Sequence, residues 1–135
     1  MRGVWLVLVW ACGAGANASD ASVDAETVGF LAVYDVIEAR CAIPGCHLSP
    51  APRAELDFAT EDLAFANLVG QQARGPACGG EGVRVVAGSS AESILMSKLA
   101  DVEPVCGARM PLGRRALDVE DIELIRQWID QGARR

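Results

Sequence analysis

His47 is the only histidine in the chain, and it stands directly after Cys46. A second thiol, Cys41, precedes them in the stretch Cys41-Ala42-Ile43-Pro44-Gly45-Cys46-His47, a C-x4-C-H pattern. Thiols and imidazole are soft donors, so their chemistry is oxidation, metal ligation or nucleophilic addition. Several outcomes are open. Oxidised to each other, Cys41 and Cys46 close a small disulfide ring and His47 is incidental. With a fourth thiol the three bind zinc, although such sites favour two close pairs and the later cysteines, Cys78 and Cys106, do not form one. As a nucleophile–base pair they are handicapped, because sequence neighbours rarely aim a thiolate at an imidazole.

The remaining outcome is covalent haem attachment. In the C-x-x-C-H signature two thiols add across the vinyl groups of a porphyrin, and the next residue, a histidine, ligates the iron. Here the spacing is two residues longer. Pro44 and Gly45 suit the two central positions of a type II turn, which would fold the extra residues into a bulge and return Cys46 beside Cys41. A haem iron then takes a sixth ligand or keeps an open site. Met110 is the candidate ligand: it lies in a loop, off any helical stripe, and Pro111 stiffens the chain after it. Met96 falls mid-helix and reads as packing; Met1 would leave with a signal peptide. Met110 as a plain gap-filler stays open, and in that case a five-coordinate haem could bind a small gas or a peroxide.

Cys78 and Cys106 each sit in a glycine-containing loop and are expected to pair. That disulfide would tie the Met110 loop to the glycine-rich loop and stabilise by about 3 kcal/mol in the chain-entropy account. The oxidising setting it requires is indicated by the N-terminus, MRGVWLVLVWACGAGANAS. Arg2 followed by the apolar run Val4 to Ala11 is too short for a bilayer but suits an export signal. Ala11-Cys12 resembles a lipoprotein processing site with Cys12 lipidated; Ala16-Asn17-Ala18 is the alternative cleavage site. The expected organisation is a signal and tether start over 1–18, a flexible linker over 19–26 and one domain over 27–135, exported to the periplasm or anchored at the membrane through Cys12.

Several elements must position these groups. Phe30, Val33, Tyr34, Ile37 and Cys41 share one face of a first helix that ends near Cys41, because Pro44 biases Ile43 away from helical geometry. Residues 48–60 read as a loop anchored by Leu56 and Phe58. A short helix spans about 61–68, stopped by Gly70, and 71–82 is a glycine-rich loop. Val83, Val85 and Val86 suggest a brief extended piece. Ser89 and Glu92 look like a capping box opening a helix over about 90–99. The last helix, over about 119–131, takes Asp118 as N-cap, Leu117 and Ile122 as a staple, Ile125, Trp128 and Ile129 as its buried stripe, and Gly132 as its stop. The composition is 51% hydrophobic but only 5% aromatic, so aliphatic side chains or a bound group must fill the core. The net charge of −6 repels phosphate, which argues against nucleic acid as a partner.

Taken in order, the helix ending in CAIPGCH, then AELDF, AFANLVG, RVVAGSSAESILMSKL, CGARMPLG and LDVEDIELIRQWIDQGA resemble the class I cytochrome c-like domains of exported bacterial (lipo)proteins, in particular a group with C-x4-C-H attachment. The resemblance runs from about Phe30 to Ala133. It implies an all-α domain with long loops and about four helices around one covalent haem c. Cys41 and Cys46 match the thioether positions, and His47 and Met110 the axial ligands. It also implies that the first and last helices cross, with Leu56, Phe58, Ile94, Leu95 and Trp128 as haem-contacting or core residues. The expected function is electron transfer to redox partner proteins, with no catalytic acid or base. A haem-free, disulfide-stapled structural lipoprotein and a five-coordinate ligand-binding module are the alternatives.

Overall fold

The computed structural model describes residues 26–101 and 106–135. The expected signal, lipidation residue Cys12, and nearly all of the 19–26 linker lie outside the described residues. Among the described residues there are four helices, α1 (Phe30–Arg40), α2 (Glu61–Leu68), α3 (Ile94–Ala100) and α4 (Val119–Asp130), and one 3-10 turn at Arg53–Glu55. Among the described residues there is no strand, only isolated bridges, so the fold is all-α. No helix among them is long and apolar enough to cross a membrane.

The apolar spacing of α1 buries Phe30, Val33, Tyr34 and Ile37. α1 packs on α4 and α2, and α3 packs on α4. The stripe Ile125, Trp128 and Ile129 of α4 is buried against α1, and Trp128 is fully enclosed. Phe30 meets Trp128 at a ring-centroid distance of 5.0 Å and Phe65 of α2 at 5.1 Å, an aromatic cluster that closes this side of the molecule. Full burial of side chains this large contributes roughly 2–3 kcal/mol each.

The helix ends follow local chemistry. Thr60 caps α2 by accepting from the Leu63 amide at 3.2 Å. α4 stops in a Schellman arrangement: the Gly132 amide donates to Ile129 O and the Ala133 amide to Trp128 O, both at 2.9 Å. Gly132 has φ +102°, a region that disfavours any side chain. Across the fold, Gln131 Oε1 accepts from the Val28 amide at 2.8 Å, joining the start of α1 to the end of α4.

Two sequence expectations need correction. The capping box at Ser89–Glu92 does not open a helix; α3 begins at Ile94, after Ser93. The Ser90 amide donates instead to Asp130 Oδ1 of α4 at 2.9 Å. The Ser93 hydroxyl donates to Ser89 O and accepts from the Val86 amide. Those tertiary bonds hold 86–93 in a turn and delay the helix by four residues. Asp118 is the N-cap of α4 by position, but its carboxylate makes no capping bond; it pairs with Arg115. The staple residues Leu117 and Ile122 do join the apolar core.

Candidate functional site

Cys41 is the C-cap of α1, where its amide donates to Ile37 O at 2.7 Å. Because it continues the apolar face of the helix, its side chain packs against the core. The chain then turns. The Cys46 amide donates to Ile43 O at 2.9 Å, and Gly45 has φ +79°. A hydrogen bond across Ile43–Cys46 with a left-handed third residue after proline is the type II turn that Pro-Gly favours. The two extra residues are folded into this turn. Cys41 and Cys46 are both free thiols.

The 48–60 loop folds back over this segment. The Arg53 amide donates to Cys46 O at 2.7 Å and the Phe58 amide to His47 O at 2.9 Å. Ala54 and Glu55 both adopt positive φ, 58° and 55°, a conformation that costs a non-glycine residue about 1–2 kcal/mol. The turn they make directs the carbonyls on either side of it. Leu56 O lies 3.2 Å from His47 Nδ1. A carbonyl can only accept, so Nδ1 carries the proton and Nε2 keeps its lone pair. Phe58 stands beside the imidazole at 5.3 Å between centroids. Burial pushes the His47 pKa down, partly offset by the hydrogen bond to the Leu56 carbonyl, with the charges of Arg84 and Arg53 adding to the lowering. Burial pushes the Cys41 thiol up to about 11, with Arg40 opposing and Cys46 adding. A catalytic pair needs the thiol pulled down and the imidazole pulled up. Cys41 and His47 both move the other way, which argues against these two groups as a nucleophile–base pair.

Met110 comes from the loop that follows α3. Its amide donates to Lys98 O of α3 at 2.9 Å, and the Lys98 ammonium donates back to Cys106 O and Ala108 O. Cys106 is joined to Cys78 by a disulfide with Cα atoms 4.9 Å apart and a sequence separation of 28. The segment carrying Met110 is therefore fastened to α3 on one side and to the glycine-rich loop on the other.

Between these elements lies a cavity of about 640 Å³, within the roughly 300–1,000 Å³ of cofactor and ligand sites. Cys41, Cys46, His47 and Met110 all line it. Its walls include Leu56, Phe58, Ile94, Leu95 and Leu99. Of the residues expected around a bound group, Leu56, Phe58, Ile94 and Leu95 are on this wall, whereas Trp128 belongs to the core and does not line the cavity. Met96 is buried in the core and does not line the cavity.

Sequence reasoning missed Arg84. It lies in the extended piece 83–86, pinned between neighbours by bonds from its amide to Gln71 O at 2.7 Å and from the Leu95 amide to its carbonyl at 2.9 Å. Its side chain is buried on the cavity wall and donates to Asn67 O and Ala54 O, both at 2.8 Å. The only available signal was an arginine between Val83 and Val85, of which Val85 is buried in the core. Among the described residues, no three or more His, Cys, Asp or Glu side chains converge to hold a metal ion. Among the described residues zinc finds no fourth thiol beside Cys41, Cys46 and His47, since Cys78 and Cys106 are consumed by their disulfide. No family model, no curated protein and no solved structure matches the chain.

Proposed function

We propose that the chain is a monohaem c-type cytochrome that carries electrons outside the cytoplasm, with a cytochrome c-like arrangement of its four helices. One observation carries the reading: residues far apart in sequence, the Cys41–Cys46–His47 segment and Met110, line a single apolar cavity of cofactor size. The residues present fit the group. Both thiols are free to form thioethers. His47 Nε2 has its lone pair available because Nδ1 is committed to Leu56 O. The Met110 thioether offers a soft second ligand, and the walls are mostly apolar. When bound, haem would supply one-electron chemistry at its iron, at a potential that a thioether ligand raises relative to two nitrogen ligands. The chain's own part is to attach the macrocycle through Cys41 and Cys46, orient His47 through the Leu56 carbonyl, and hold Met110 on the strap formed by Lys98 and the disulfide. No acid or base of the protein need transfer a proton.

The test is expression with export signal and haem-maturation machinery, followed by a denaturing gel, haem stain and mass measurement. The expected product keeps a stain through denaturation and weighs one haem more than the processed chain, because thiol addition to a vinyl group loses no atoms. Colourless protein of bare chain mass overturns the reading and leaves the structural lipoprotein. Carbon monoxide binding then decides the coordination: the reduced protein should resist it and Met110→Ala should bind it. Ready binding by the unsubstituted protein would place the chain among five-coordinate ligand-binding modules.

A further inference from the structure

The step from Cys41 to Cys46 holds four residues, 42–45, and its two halves hang from different parts of the fold. The first half hangs from the end of α1: the Ala42 amide donates to Ile37 O at 3.0 Å and the Ile43 amide to Cys41 O at 2.8 Å. The second half hangs from one residue of the 48–60 loop. Arg53 Nε donates to Gly45 O at 2.7 Å, and the Arg53 amide donates to Cys46 O at 2.7 Å. Those carbonyls belong to the peptide planes on either side of Cys46, so both planes that set its position end on Arg53. The Arg53 carbonyl in turn accepts from the Leu56 amide at 3.2 Å, and Leu56 O holds His47 Nδ1.

Six cations line the cavity, Arg40, Arg53, Arg74, Arg84, Lys98 and Arg114, and among the described residues no Asp or Glu does. Charge alone does not single out Arg53; what it grips does. Gly45 has φ +79° and open space where a Cβ would stand, so it is the residue of the step with the most freedom to move. A lone exposed hydrogen bond contributes little, because water competes for both partners. Here the Arg53 main chain is already fastened to the next carbonyl, and only its side chain is left to order. In this clamped form Cys41 and Cys46 are free thiols, whereas Cys78 and Cys106 are joined.

We infer that Arg53 is the positioning residue for the longer step: it fixes Cys46 at a separation from Cys41 at which both thiols stay reduced instead of closing a ring. The inference deepens the haem reading and rests on it for the use made of the thiols, since a thiol can add its S–H across a vinyl group and a disulfide cannot. A C-x-x-C-H step has less slack to fix, so the need for the clamp comes with the two extra residues.

The first test needs no haem. The processed chain is equilibrated with reduced and oxidised glutathione, and the Cys41–Cys46 pair is read by alkylation and peptide mass. Closing the ring takes two electrons and two protons from the thiols, and these reduce one glutathione disulfide to two glutathiones. Arg53→Ala should raise the ratio of disulfide to dithiol at this pair about fivefold, the factor appropriate to one hydrogen bond, with Arg53→Lys recovering part of the change. Arg114→Ala removes a cavity cation that makes no bond to the step and should leave the ratio unmoved. An unmoved ratio in Arg53→Ala overturns the inference, as does an equal rise in Arg114→Ala, which would make the effect one of charge. The second test loads the chain through haem-maturation machinery. Attachment through one sulfur or two gives the same mass, but the absorption of the reduced pyridine complex shifts when a vinyl group is left over. Arg53→Ala should raise the singly attached share about fivefold, and deletion of Pro44 and Gly45, which leaves C-x-x-C-H, should abolish that dependence. An unmoved share, or a dependence that survives the deletion, overturns the inference. A negative haem stain with the glutathione ratio still moved by Arg53→Ala removes the cytochrome and keeps the clamp, so the two failures are distinguishable. A chain that neither folds without haem nor takes it overturns both.

Discussion

The two sides of this domain are held together by different means. Where α1, α2 and α4 meet, side chains fill the space: Phe30, Phe65 and Trp128 interlock at centroid distances from 5.0 to 6.4 Å. On the other side, α3 and the loops bearing Cys41–His47 and Met110 surround about 640 Å³ that no side chain fills. That side is kept in place by ties: the Ile43–Cys46 turn, the Leu56 carbonyl on His47, the Arg84 bonds, the Lys98 bonds and the Cys78–Cys106 disulfide. Packing secures a region by excluding space, whereas directional bonds and covalent links secure it while leaving space open. Among the described residues the few aromatics Phe30, Tyr34, Phe65 and Trp128 stand on the packed side, and Phe58 stands against His47.

The sharpest way to break this contrast is truncation on each side. Trp128→Ala should cost about 3–5 kcal/mol, because a filled, fully enclosed site cannot collapse. Leu56→Ala, on a wall that already faces open space, should cost only about 1 kcal/mol, the transfer term with little new cavity. Urea denaturation of the cofactor-free proteins compares them, and equal losses would mean that the two sides are not differently built.

Next in size, removal of the tie in Cys78→Ser with Cys106→Ser should lower stability by about 3 kcal/mol for this loop length. Hydrogen exchange should then quicken around Met110 and Lys98 while the amides of α1 and α4 above global unfolding keep their order. Uniform loss of protection would show one cooperative body rather than a tied half beside a packed half.

Gly132→Ala, at φ +102°, should destabilise by about 1–2 kcal/mol through backbone strain at the end of α4. The measurement is the urea midpoint, and no change would mean that the Schellman stop contributes little to the packed side.

The smallest effect concerns charge on α4. Hydrogen bonds from Arg126, then from Gln127, hold the Glu123 carboxyl down at about 2, below its usual 4.5. A depressed carboxylate pKa stabilises the fold at pH above 4.5, and the contribution fades as pH falls from there through about 2. Glu123→Gln should therefore melt slightly below the unsubstituted protein at neutral pH, and the difference should close near pH 2. A difference independent of pH would attribute the effect to something other than ionisation of this group.

Much of the outline was legible in local chemistry. The apolar spacing of Phe30, Val33, Tyr34 and Ile37 marked the inner face of α1. Pro44-Gly45 marked the turn between the thiols. The loop over 48–60 and Gly70 bracketed α2, and Gly132 marked the end of α4. The start of α3 was not legible, because the Ser90 amide is taken by Asp130 from another helix. Asp118 misled for a similar reason, its carboxylate being drawn to Arg115. Arg84 could not be foreseen as part of the site, since the carbonyls that receive it come from Asn67 and Ala54.

By itself, then, the order of residues determined the helices other than the start of α3, the turn, the donor types and the net charge, all properties set by neighbours within a few positions. Only the tertiary structure decided that His47 and Met110 line the same space, that His47 presents Nε2, and that positive charge gathers at the cavity of an acidic chain. Those depend on carbonyls, cations and walls brought in from distant segments, and no local pattern encodes which of them will meet.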